Sequence, residues 1–67
     1  MPLSGKEMLK IYLRAGWIVK AQKGSHVKVG KNGERETIPM HRELKKGLER
    51  KLLKRIELGK GVNGIPL

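Results

Sequence analysis

Asn32-Gly33 is the feature that most restricts what this chain can fold into. A type I′ turn needs positive φ at both central residues, and Asn followed by Gly meets that need at low cost, so the pair is the strongest short-range hairpin signal. A two-residue loop there pairs Lys31 with Glu34, Lys28 with Thr37 and Val27 with Ile38. Val27 and Ile38 then share a buried face, and a one-residue slip would turn every side chain over. The same parity sets His26 and Lys28 on the opposite face, with Thr37 beside Lys28. Pro39 ends the third strand, because it cannot donate to the ladder.

Upstream, Trp17-Ile18-Val19-Lys20-Ala21-Gln22 is rich in β-formers and reads as a first strand. Lys23-Gly24 is too short for anything but a tight connection into the second strand, Ser25 to Gly30. A helix over about 4–15 precedes the sheet. Ser4 is its N-cap, Glu7 completes a capping box, and Leu3 and Met8 take the two staple positions. Met8, Leu9, Tyr12 and Leu13 form its apolar stripe, and Gly16 supplies a left-handed C-terminal cap. A second helix after Met40–Leu44 carries Leu48, Leu52, Leu53 and Ile56 on one stripe, with Arg50, Lys51, Lys54 and Arg55 on its polar positions. Gly47 is either its N-cap or an interior glycine of a helix that starts near Arg42.

The order is helix, three antiparallel strands, helix. Both helices need a covered face and the sheet offers one apolar face, so the expected architecture is an α+β two-layer sandwich, α-β-β-β-α, with two helices side by side on one face of a three-stranded antiparallel sheet. The other face stays open and carries His26. Sixty-seven residues make one domain, set at 1–58, with a flexible glycine-rich tail over 59–67. There is no cysteine, so no disulfide framework is available. No apolar run approaches membrane-spanning length, and the chain reads as soluble and cytoplasmic, without a membrane partner.

Charge narrows the partner. Sixteen Lys and Arg face six Glu, there is no Asp, and the formal net charge is +10. Such a field draws polyanions, nucleic acid first. Arg42–Lys60 alone holds eight of the sixteen basic residues. They read equally as a solvated helix flank or as phosphate contacts. Trp17, the only Trp, is assigned to the core rather than to base stacking.

His26 is the candidate catalytic residue. Imidazole moves protons near neutral pH, the small residues Gly24 and Ser25 leave room for a ligand backbone, and Lys28 shares its face. His41 is a candidate auxiliary: it follows Pro39, which the register sets opposite His26, and the two imidazoles are neighbours unless the proline turn aims His41 away. A metal centre is disfavoured, since two His with no Cys, no Asp and scattered Glu are a poor ligand set, and no cofactor is expected. A serine triad is disfavoured as well, because Ser25 and His26 are adjacent and point to opposite faces of a strand. What remains is metal-free phosphodiester chemistry. RNA carries its own nucleophile, the 2′-hydroxyl, and needs only a base, an acid and cations for the phosphorane charge. DNA lacks that hydroxyl, so cleavage would select RNA.

Gly16-Trp17, Gly24-Ser25-His26, the glycine-bearing hairpin turn, Pro39 with His41, and a basic C-terminal helix opened by Gly47 together resemble the HicA toxins of bacterial HicAB toxin–antitoxin systems. The likeness covers about residues 4–58. It implies a double-stranded-RNA-binding-domain-like fold and a metal-independent endoribonuclease acting on mRNA, the toxin of a type II system, with the histidine of Gly-Ser-His essential; that histidine is His26. It also implies a HicB antitoxin that covers the active face. Lys20, Lys23, Gly24, Ser25 and Lys28 are the expected RNA-binding residues. Leu48 stands where family members often carry Thr after the glycine that opens the last helix. The alternative is a non-catalytic RNA-binding module of the same fold that spans a duplex by shape.

Overall fold

The computed structural model describes residues 2–64, with side chains through residue 57. The elements are α1 (Gly5–Arg14), β1 (Ile18–Lys23), β2 (His26–Lys31), β3 (Glu34–Pro39) and α2 (Lys46–Gly64). The sheet is antiparallel in the order β1-β2-β3. The fold is the expected α+β arrangement, α-β-β-β-α. The expectation of a tail over 59–67 falls on residues whose side chains, and for 65–67 the backbone also, lie outside the described residues. No helix among the described residues is long and apolar enough to cross a membrane.

The hairpin forms in the register that Asn32-Gly33 dictates, with Val27 opposite Ile38, Lys28 opposite Thr37 and Lys31 opposite Glu34. Asn32 and Gly33 have φ of 51° and 80°, the values a type I′ turn requires. At the other end of β2, Gly24-Ser25 is the two-residue connection, so β2 begins at His26 rather than Ser25 and runs on to Lys31. The pairing of Lys23 with His26 extends β1 by one residue, and Gly24, at φ 57°, absorbs the reversal.

One feature of β1 departs from plain alternation. Ile18 and Val19 pair with Gly30 and Val29, whereas Ala21 and Lys23 pair with Lys28 and His26. Lys20 is therefore the extra residue of a β-bulge, and the parity of the strand changes across it. Cross-strand partners share a face, so the bulge brings Ala21 and Lys23 onto the His26 face, while Lys20 is also laid over Gly30 there.

The opposite face holds the core. Met8, Tyr12, Trp17, Val27, Val29, Ile38, Leu44, Leu52 and Ile56 are all buried. Burying an aliphatic side chain of this size is worth about 1.5–3 kcal/mol. α1 and α2 meet where the Tyr12 hydroxyl donates to the Leu52 carbonyl at 2.8 Å. Burial, reinforced by the Glu36 carboxylate, pushes this phenol above its usual range, so it stays a donor. Tyr12 meets Trp17 edge-on, ring centroids 4.9 Å apart, and Arg55 lies 5.9 Å over the Trp17 ring. Arg55 also pairs with Glu34 at 2.7 Å and reaches Glu36 at 3.7 Å, which Lys51 approaches to 3.5 Å. The two β3 carboxylates are thus answered by α2 on the helix side of the sheet.

Both ends of α1 are built as its sequence requires. The Ser4 side chain accepts from Glu7 N and the Glu7 side chain accepts from Ser4 N. Gly16, at φ 95°, reverses the chain after the C-cap, and the Lys31 ammonium donates to the Ala15 carbonyl at 2.5 Å. The Ser4 backbone N–H, then the Ser4 hydroxyl, hold the Glu7 carboxyl below the usual carboxylate range. A depressed native pKa contributes stability above the unfolded value and loses it as pH falls through the native one. Ser4→Ala is therefore expected to lower the thermal midpoint near neutral pH and to lower it less in strong acid, read by circular dichroism at both pH values. α2 starts at Lys46, so Gly47 sits inside its first turn rather than capping it.

Candidate functional site

The face away from the helices presents three rows. β1 contributes Ile18, Lys20, Ala21 and Lys23; β2 contributes His26, Lys28 and Gly30; β3 contributes Arg35, Thr37 and Pro39. Every charged side chain in these rows is a cation. Glu34 and Glu36 have the other parity and face α2. The strand period of two has sorted charge by face, which leaves a basic sheet surface with no carboxylate in its rows.

His26 is exposed at one end of this surface, directly opposite Pro39 on β3 and Lys23 on β1. His41 lies beside it. Their ring centroids are 6.3 Å apart and the planes stand at 71°. The question the sequence left open at Pro39 is thus answered: the proline turn returns His41 to His26 rather than aiming it away.

The backbone shows why. Met40 N donates to Ser25 O at 2.6 Å, tying the exit of β3 to the turn that opens β2. Gly5 N donates to His41 O at 2.9 Å, and Leu44 N donates to Leu3 O at 2.8 Å. Leu3 N in turn donates to the Glu49 carboxylate at 2.5 Å. The segment before α1 thus clamps the loop that carries His41. Gly5 is the tight point. A Cβ there would run into the Pro39 carbonyl oxygen and stand 2.7 Å from Met40 Cα.

Of the expected site residues, Lys23, His26, Lys28 and His41 gather at one end of the open face, with Gly24-Ser25 as the turn at its rim. Lys20 lies on the same face but toward the other end, against Gly30. Sequence reasoning passed over Arg35. The hairpin register carries the signal, since Arg35 has the parity of Thr37 and stands opposite Gly30. Among the described residues no three His, Cys, Asp or Glu side chains converge as a metal site would require.

The class defined by these features is a small basic two-layer α-β-β-β-α domain with a histidine-bearing open sheet. A family model described as the HicA toxin of bacterial toxin–antitoxin systems matches residues 5–58. The chain belongs to the HicA toxin family. No match was found among curated proteins or among solved structures. Membership makes it a toxin of a toxin–antitoxin pair, with an antitoxin as its counterpart.

Proposed function

We propose that this toxin is a metal-independent endoribonuclease that cuts mRNA with His26 at its centre. In the proposed reaction the 2′-hydroxyl oxygen attacks the adjacent phosphorus, and the bond to the 5′-oxygen of the next nucleotide breaks. One imidazole takes the 2′-hydroxyl proton and another acid returns a proton to the leaving 5′-oxygen. The products are a 2′,3′-cyclic phosphate and a 5′-hydroxyl. His26 carries one of the two transfers and His41 the other. Lys23 and Lys28, flanking His26 across and along the strands, offset the charge that builds on the phosphorane. The open Gly24-Ser25 turn lets the RNA backbone approach.

The observation that carries this reading is the imidazole pair, 6.3 Å between centroids, on a face whose charged residues are all cations. The antitoxin in this reading is a HicB-type protein that covers the same face, where an acidic or groove-filling surface suits a net charge of +10.

A synthetic RNA and its copy with a single 2′-deoxy nucleotide at the cut position test the chemistry, each with EDTA present. The RNA is expected to yield a cyclic phosphate terminus in EDTA, and the deoxy copy is expected to stay intact at that position. Cleavage that stops in EDTA, or that persists in the deoxy copy, would overturn the proposed chemistry. Binding without cleavage of either would leave the RNA-binding module as the function.

A further inference from the structure

At the end of the open face remote from His26 lies a cleft of about 350 Å³, bordered by Ile18, Lys20, Gly30, Lys31 and Arg35. Three features of the chain make it. Gly30, lacking a side chain, leaves the floor at the backbone. The β-bulge aims Lys20 across that floor, so that a Cβ on Gly30 would meet Lys20 Cε at 3.0 Å. Arg35 stands opposite Gly30 on β3 and forms the facing wall. Lys20 and Arg35 converge from the two outer strands on one gap in the middle strand.

Their charges are uncommitted. Among the described residues neither Lys20 nor Arg35 takes part in an ion pair, and the side chains of both residues are exposed. Lys31, at the rim, is different, because its ammonium is used by the Ala15 carbonyl. Glu34 also borders the cleft, but Arg55 holds its carboxylate at 2.7 Å from the helix side. Two like charges bordering one cleft, with no carboxylate paired to either, are a site for a divalent or polyvalent anion. A guanidinium forks onto phosphate oxygens and an ammonium adds a point charge.

We propose that this cleft is a phosphate subsite for the RNA single strand, separate from the phosphate that is cut. This rests on the ribonuclease reading above and extends it along the strand. Gly30 is four residues from His26 on β2, about 13 Å at strand rise, longer than one nucleotide repeat. The subsite thus holds a neighbouring phosphate and sets the register of the RNA over the imidazoles. Ile18, half-exposed at the rim, offers an apolar edge for the adjoining base.

The test uses 5′-labelled RNA oligonucleotides lengthened one nucleotide at a time from each side of the cut. Binding is followed by fluorescence anisotropy on the full chain carrying His26→Ala, and cleavage on the chain with His26 intact. Affinity is expected to step up about tenfold or more at one length on one side only. Arg35→Gln and Lys20→Gln, which keep most of each side-chain stem, are expected to reduce that step, and the double variant to remove it. The slope of log K against log salt for the longer RNA is expected to fall by about 0.7 in the double variant, the value for one single-strand phosphate. A methylphosphonate at the phosphate where the step occurs is expected to reproduce the loss in the unsubstituted cleft. A smooth rise with length, or equal losses for short and long RNAs, would show a diffuse field and overturn the subsite while leaving the ribonuclease reading in place. Failure to cleave or bind RNA of any length would overturn both.

Discussion

His26→Ala is expected to lower RNA cleavage by about 10²–10⁴-fold, the range for general acid–base help from one group, and to abolish growth arrest on induction. His26 is exposed and opens β2 outside the core, so the variant is expected to keep its thermal midpoint and its RNA affinity. His41→Ala is expected to lose cleavage as well. Because the two imidazoles would act as a unit, the double variant should lose little more than the worse single one. Multiplying losses in the double variant would mean that the histidines work separately. Unchanged cleavage by His26→Ala would end its assignment, whatever His41 does.

Gly5→Ala is expected to have the largest effect on the fold of any glycine-to-alanine change among the described residues. Its Cβ would meet Pro39 O and Met40 Cα, which are backbone atoms and cannot rotate aside. Overpacking against movable side chains costs about 1–3 kcal/mol, and a backbone obstruction puts this case at the upper end, about 3 kcal/mol. For a domain of this size that lowers the melting midpoint by roughly 12–24 °C. The same displacement pushes on the loop holding His41, so cleavage measured well below the midpoint should fall too. Cleavage that falls only in proportion to the unfolded fraction would show that the loop keeps its place.

These two positions mark what the sequence makes legible and what it does not. The hairpin could be read because parity and turn chemistry agree: Asn32-Gly33 admits one register, and that register buries both Val27 and Ile38. His26 followed from the same parity. Arg35 could have followed too, since it alternates with Thr37, but no nearby motif drew attention to it. The bulge at Lys20 leaves no mark in the sequence, because an extra residue in an exposed edge strand disturbs no apolar pattern. Every β1 residue is exposed. The place of His41 depends on hydrogen bonds from Gly5, Leu44 and Met40. Those contacts join segments distant along the chain, and a glycine in the first turn of a helix reads only as a weak helix former. The acid–base sorting across the sheet became plain only once α2 was seen to supply the partners of Glu34 and Glu36.

The clamp before α1 has a consequence for the order of assembly. The two hairpins that place Lys23, His26 and Lys28 close between residues near in sequence, and such contacts form early and fast. The clamp does not share this locality. Leu3 reaches Glu49 across 46 positions, and Tyr12 reaches Leu52 across 40. The hairpins can therefore close before the contacts to Glu49 and Leu52 of α2 are made. The loop carrying His41 is tied by Gly5 and Met40, so the imidazole pair waits on the segment before α1 returning to that loop, and α2 braces that segment through Glu49.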